Sequence, residues 1–262
     1  MPVASLVPSP AALQPILPSG TGGTSKWVVP FRIKSASESR IIKTWDQTPG
    51  AQSVHARFPF SQIPSWSVLI ELSSEDTTTA LEGILEEVVG AALERGEVID
   101  AVIATSEQQA AEFWHIRHSV SEANKKEGIG IVHDVAVRTS DVALFIEAAD
   151  AVVAQRYPQA VAQVISHLGD GNVHYILMFQ RAFWATLSDQ DAFALEVERI
   201  IHDVAVQFDG TFSAEHGVGR NLTGELERLA APLRFELMSK VKTLFDPQNL
   251  LNPGVLLALK SA

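Results

Sequence analysis

No cysteine occurs in the 262 residues. Disulfides and thiolate chemistry are therefore excluded, and the absence fits a reducing compartment. Basic residues are scarce: 20 Lys and Arg stand against 31 Asp and Glu, for a formal net charge of −11. A surface that binds DNA or RNA needs the opposite balance to neutralise phosphates, so no nucleic-acid partner is expected. Anionic lipid would also repel this chain. No apolar run reaches the ~18 residues of a transmembrane helix, so no membrane span is expected. The start, Met1-Pro2-Val3-Ala4-Ser5, lacks the basic region of a signal peptide. These absences together point to a cytoplasmic protein. What is present, 46% hydrophobic and 19% charged residues, is the composition of a globular chain long enough for a real core.

One stretch organises the rest. Ser166-His167-Leu168-Gly169-Asp170-Gly171-Asn172-Val173-His174 lies between the apolar runs Val161 to Ile165 and Val173 to Phe179. Asp-Gly between two strand-like runs signals a hairpin. The expected register sets His167 opposite His174, with Cβ atoms about 4.5–5.5 Å apart on one face. Two imidazoles so placed can clamp one metal ion. A second stretch, Thr211-Phe212-Ser213-Ala214-Glu215-His216-Gly217-Val218-Gly219, reads as a short strand ending in a glycine turn. It sets a carboxylate beside another histidine. His167, His174 and Glu215 then make a two-His, one-Glu set with an open position, as in catalytic zinc sites. Taken singly, each of these residues is more often a strand cap, a core histidine or a surface acid. Two glycine-bounded motifs together favour a site.

The remaining pattern predicts an α+β fold. Trp66 to Leu72 reads as a strand, Asp76 to Arg95 as a helix with an apolar stripe, and Val98 to Ala104 as a strand. The order returns with a strand over Val173 to Phe179, a helix capped by Ser188, and a strand over Thr211 to Ala214. Two such strand–helix–strand, ferredoxin-like units imply an antiparallel or mixed sheet covered by helices. Between them, Ser106 caps a helix to about Lys126, on which Trp114, Arg117 and Ser121 share a face. Arg117 can fork onto a carboxylate ligand or simply make a surface pair. Val132 to Val137 reads as a strand, and Ser140 caps a helix to Arg156. Thr223 opens a final helical region, interrupted at Pro232 and running to Phe245. Residues 1–30, rich in Pro, Gly and Ser, read as an entry segment or trimmed domain boundary ahead of a domain over 31–262. A weak helical stretch falls near Glu38 to Trp45. The cluster Gly20-Thr21-Gly22-Gly23 has no following Gly-Lys-Ser/Thr and is not a phosphate loop.

His-x-Gly-Asp-Gly-Asn-x-His followed by Glu-His-Gly-x-Gly resembles the C-terminal domain of FAD-linked oxidases of the vanillyl-alcohol oxidase type. The likeness is to the D-lactate, glycolate and D-2-hydroxyglutarate dehydrogenases. Trp114-His115-Ile116-Arg117 and the closing run Phe245 to Gly254 extend it. The resemblance implies an α+β substrate domain in which Arg117 binds a substrate carboxylate, with the Ser121 hydroxyl nearby, and Asn252 approaches the flavin. It implies FAD held mainly by a preceding domain, which this chain lacks. A fragment, or a subunit that needs a partner and is inactive alone, is therefore expected; a homodimer is possible. The implied reaction oxidises a small D-2-hydroxy acid to the 2-oxo acid with hydride transfer to FAD. A divalent metal, zinc or manganese, would assist, with His216 as general base. The chain departs from the family pattern at Val132, where Lys is frequent, at Arg138, Leu222 and Val255, and at Ile176, where some relatives use Asn. These departures favour a smaller or more apolar 2-hydroxy acid over a large dianion. Two other classes stay open. The same set can serve a metal-dependent hydrolase with Glu215 as base, although no His-Glu-x-x-His helix is present. A non-catalytic binding or assembly module would use His216 as fourth ligand of a structural metal.

Overall fold

A computed structural model describes residues 27–33, 59–60, 66–72 and 81–257. Most of the expected entry segment, the stretch from Glu38 to Trp45 and the start of the helix expected from Asp76 lie outside these residues. The first sheet holds β1 (Trp27–Ile33), β2 (Ser67–Leu72) and β3 (Val98–Ala101), in the order β2-β1-β3. Helix α1 (Leu81–Glu94) connects β2 to β3. The expected boundary at residue 30 falls within β1. Both outer strands run antiparallel to β1.

Helix α2 (Glu107–Glu127) follows. Its start is fixed as expected: the Ser106 hydroxyl accepts the Gln109 N–H at 3.2 Å. The second sheet then forms from β4 (Ile129–Ala136), β5 (Val161–His167) and β6 (Asn172–Phe179), with β6 in the centre. Helix α3 (Val142–Arg156) joins β4 to β5. It begins after a short 3-10 turn over Thr139–Asp141, one residue later than a Ser140 cap would place it. The short α4 (Arg181–Trp184) leads to α5 (Gln190–Gln207). The N-cap of α5 is Asp189, not Ser188; its carboxylate accepts the Ala192 N–H at 2.9 Å. The expected strand at Thr211 to Ala214 shrinks to a single antiparallel bridge between Ala136 and Thr211. After that bridge the backbone turns away to hydrogen-bond a side chain. The chain order β4-α3-β5-β6-α5-bridge, with the bridge beyond β4, is the ferredoxin-like arrangement with a rudimentary fourth strand. The expected second unit is β6-α5-bridge, and β4-α3-β5 is a further one, with β6 paired between its strands. Helices α6 (Thr223–Leu229) and α7 (Pro232–Phe245) close the chain, broken at Pro232 as expected.

Strand alternation gives the second sheet two unlike faces. Val135, Val164, Val173, Tyr175, Leu177 and Phe179 pack against Phe145, Ile146, Ala149 and Val153 of α3 and Val197, Ile201, Val204 and Ala205 of α5. Truncating one of these large side chains, such as Phe145, costs about 3–5 kcal/mol. The opposite face lies toward α2, whose Val120 packs with Ile165, Ile176 and Met178. The polar residues of the hairpin lie on this second face.

The hairpin register differs from expectation. His167 pairs with Asn172, and His174 with Ile165. Leu168 joins the loop, and Asn172 opens the strand. The Asp170 carboxylate accepts the Asn172 N–H at 2.9 Å, and Asn172 donates its side-chain amide to Asp134 at 2.7 Å. Those bonds anchor Asn172 in the sheet. The shift is two residues in total, so His167 and His174 still share a face, as diagonal neighbours. Gly171 is indispensable to this turn. Its φ is +76°, and a Cβ there would sit 2.0 Å from the Val137 carbonyl oxygen.

Candidate metal and substrate site

Asp134 lies on the second face near the end of β4. It is directly opposite His174 on the neighbouring strand. One carboxylate oxygen accepts the Asn172 amide; the other accepts three consecutive backbone N–H groups, from Ala214 at 3.1 Å, Glu215 at 2.9 Å and His216 at 2.8 Å. A loop remote in sequence is thereby wrapped around one carboxylate. Burial works to raise the Asp134 pKa, but the hydrogen bonds from His216, Asn172 and Glu215 prevail and hold it below the usual range. Asp134 is thus a charged anchor whose oxygens are already in use.

Around it stand the predicted residues. His174 Nε2 lies 3.0 Å from Glu215 Oε1, and His174 Nδ1 lies 3.6 Å from Asp134. His216 Nδ1 lies 3.8 Å from Asp134, and its Nε2 3.7 Å from Glu215. The His174 and His216 rings stack with centres 5.4 Å apart. Ligand atoms of Asp134, His174, Glu215 and His216 all fall within 4.8 Å of one another. His167 stands edge-on to His174, ring centres 5.6 Å apart. His167 is not among the four residues whose ligand atoms converge; it stands beside them. Burial lowers the pKa of His174 against the pull of Glu215 and Asp134. That favours the neutral ring whose lone pair a metal needs. The Asn172 side-chain oxygen is buried without a hydrogen-bond partner. Its amide group donates to Asp134, which leaves this oxygen as a buried acceptor beside the cluster. The donor set and this orphan acceptor fit a divalent ion.

Arg117, half-buried on α2, reaches the same place. Its guanidinium donates to His167 Nε2 at 3.3 Å. Burial lowers its pKa, with Glu215 countering. Ser121 lies one turn further along the helix and is exposed, with no bond to this cluster given by the structure. Trp114 of the same face turns to the first sheet, where its indole N–H donates to Glu71 at 2.5 Å. Asn252 is exposed with φ +48°, in a terminal turn tied to the glycine loop by the Leu256 N–H, which donates to the Gly219 carbonyl at 2.8 Å. It lines an apolar cavity of about 800 Å³ beside α7.

The sequence reading missed Asp134 as the organiser, although a lone acid in an otherwise apolar strand run was a usable signal. It also missed the support behind the site. His133, fully buried, donates Nδ1–H to the Tyr175 carbonyl at 2.6 Å, and burial pushes its pKa down to about 4. His202 meets the His133 ring at 5.9 Å and Glu225 at 2.9 Å. Glu225 also holds Arg228 at 2.6 Å and Arg199 at 3.3 Å. Burial works to raise the Glu225 pKa, but Arg228 and His202 pull it down to about 2. This network ties α5 to α6 on either side of the loop that carries Glu215 and His216.

No helix among the described residues is long and apolar enough to cross a membrane. Curated proteins similar to this chain include a D-2-hydroxyglutarate dehydrogenase of Stutzerimonas stutzeri, 32% identical over 63% of this chain and 35% of the relative. A mitochondrial D-2-hydroxyglutarate dehydrogenase of Arabidopsis thaliana is 30% identical over 75% of this chain and 33% of the relative. A D-lactate dehydrogenase of Archaeoglobus fulgidus is 31% identical over 60% and 33%. The chain spans about a third of the length of these relatives. The family model for the C-terminal domain of FAD linked oxidases matches residues 31–256, and the chain belongs to that family.

Proposed function

We propose that this chain is the substrate domain of a flavin-dependent dehydrogenase or oxidase that converts a D-2-hydroxy acid to the 2-oxo acid. The observation that carries the reading is the convergence of His174, Glu215 and His216 on Asp134, with Arg117 alongside. His167, His174 and Glu215 would hold a divalent ion, zinc or manganese. Bound there, such an ion supplies Lewis-acid polarisation of the substrate hydroxyl. Asp134 is an orienter and not a ligand, because its oxygens already accept four hydrogen bonds. His216 is the general base: its side chain is 60% exposed toward an incoming substrate. With Nδ1 turned to Asp134, its Nε2, 3.7 Å from Glu215, is the nitrogen that would take the hydroxyl proton. Arg117 pairs with the carboxylate. FAD, bound by another domain of the same polypeptide or by a partner subunit, supplies the hydride acceptor. A partner domain is also supported by α7, which exposes Leu233, Leu237, Val241, Leu244 and Phe245 as an apolar face. The exposure of His216 speaks against a closed structural metal site. We place the assembled enzyme in the cytoplasm, in keeping with the lack of cysteine in this chain.

The test combines elemental analysis with flavin reduction by the chain joined to its flavin-binding domain. One divalent ion per chain and reduction by 2-hydroxy acids are expected. His174→Ala should lose the ion and keep the fold. Full metal content in that folded variant would overturn the assignment.

A further inference from the structure

One buried imidazole stands outside the four-residue cluster yet touches three of the segments around it. His202 of α5 is 2% exposed. Its ring meets His133 of β4 edge to face, with centres 5.9 Å apart. It meets the ring of Phe212, in the loop that carries Glu215 and His216, at 5.6 Å. Its Nδ1–H donates to Glu225 of α6 at 2.9 Å; an ionised carboxylate only accepts, so the proton sits on Nδ1. Alternation along β4 puts His133 in the core and Asp134 on the site face. The loop straddles that same strand. Thr211 and Ala136 exchange backbone hydrogen bonds at 2.8 and 3.1 Å. Phe212 then turns inward, 9% exposed, and the next N–H groups, of Ala214, Glu215 and His216, come around to Asp134. The loop is thus held from the front by Asp134 and from behind by His202 through Phe212. Glu225 in turn fixes the His202 ring, which cannot rotate without giving up its bond. Arg228 at 2.6 Å and Arg199 at 3.3 Å hold Glu225 in place.

We propose that His202 is a positioning residue: its hydrogen bond to Glu225 fixes the ring on which Phe212 rests, and so seats the amides of Ala214, Glu215 and His216 on Asp134. The roles of Glu215 as ligand and His216 as base rest on the 2-hydroxy acid reading above; the seating of the loop does not. Phe212 is the largest apolar side chain from Thr211 to Gly219, and Gly217 and Gly219 follow in left-handed conformations. A short stretch with one apolar anchor and two glycines has little local packing to keep its shape. Its shape therefore depends on what lies under that anchor. A shift of about 1 Å in a reacting group is enough to cost up to ~100-fold in rate.

The test breaks the bond from both ends without altering the loop. His202→Phe keeps a ring against Phe212 and has no donor; Glu225→Leu keeps most of the volume and has no acceptor. Hydrogen exchange is read at the amides of Ala214, Glu215 and His216, with the amides of β6 as the measure of global opening. Both variants should speed the three loop amides at least about tenfold relative to β6 and weaken zinc or manganese binding about tenfold. In the chain joined to its flavin-binding domain, kcat at saturating metal should fall at least about tenfold. Phe212→Leu, which leaves the network intact, should loosen the same three amides. Glu225→Gln, whose amide oxygen still accepts the Nδ1–H, should restore the loop's protection relative to β6. Loop amides that stay as slow as in the wild type, or that quicken only in step with β6, overturn the positioning role. So does a Glu225→Gln loop as loose as that of Glu225→Leu. Loop amides loosened as expected, with no flavin reduction by any 2-hydroxy acid in the wild type, overturn the reaction and leave the seating of the loop standing.

Discussion

Asp134 accepts the backbone N–H of His216 at 2.8 Å while its carboxylate lies 3.8 Å from the same residue's ring Nδ1. One acid thus fixes the loop that carries His216 and stands near its ring. The same acid lies 3.6 Å from Nδ1 of His174. Both imidazoles therefore turn Nδ1 to one anion and Nε2 to the side of Glu215.

Asp134→Asn should break this arrangement without changing side-chain volume. The new amide cannot accept at both positions, so one of its two ends meets N–H groups with another N–H. Metal affinity is expected to fall about 10- to 100-fold. Unsatisfied loop N–H groups should cost a further 1–3 kcal/mol or so of stability. Metal titration and urea unfolding measure the two effects; unchanged metal affinity would remove Asp134 from its orienting role.

Gly171→Ala should be far more damaging than a glycine substitution in an open loop. The left-handed conformation costs an L-residue roughly 1–2 kcal/mol, and the new methyl also collides with the Val137 carbonyl. The hairpin holding His167 and His174 must shift to relieve the clash. Lower thermal stability and weaker metal binding are expected together. Gly169→Ala, where a Cβ meets nothing within 4 Å, is the control and should change neither by much.

Arg117→Lys should not be conservative. A guanidinium presents a planar fork to a carboxylate, whereas an ammonium offers a point charge. Affinity for a 2-oxo acid is expected to drop about tenfold or more, with metal content unchanged. Calorimetry with the metal-loaded protein tests this, and equal affinity in the two proteins would disprove the fork.

Acid should attack the network behind the site. Glu225 titrates near pH 2 in the fold, against an ordinary value of 4.5. As pH falls the unfolded chain takes up this proton first, so the fold loses the stabilisation from Glu225. That stabilisation is complete above about pH 4.5 and disappears between 4.5 and 2. It amounts to something on the order of 3 kcal/mol. Glu225→Gln should therefore be less stable than wild type at pH 7 and nearly equal to it at pH 2. Denaturant unfolding across that range reads the difference; a gap that stays constant with pH would show that the carboxylate's charge is not what stabilises the fold.

Much of the second sheet was legible in the sequence because its signals are local. The Asp-Gly turn announced the hairpin, Ser106 announced α2, and Pro232 announced the break before α7. The misreadings were also local contests. Ser188 and Asp189 are both good caps, and only the backbone path selects Asp189. Leu168 reads as strand by hydrophobicity, but Asn172 is drawn into the strand by Asp134, a partner 38 residues earlier in the chain.

The sequence by itself determined the residue types of the site and the alternation that puts His167, His174, Ile176 and Met178 on one face, because side-chain direction in a strand follows a period of two. Tertiary structure alone decided that Asp134 is the common anchor, that Val132 stands beside Ile176, and that Arg117 reaches His167. Those relationships depend on which strand pairs with which and where a helix crosses the sheet. They are set by the packing of distant segments, and no local preference encodes them.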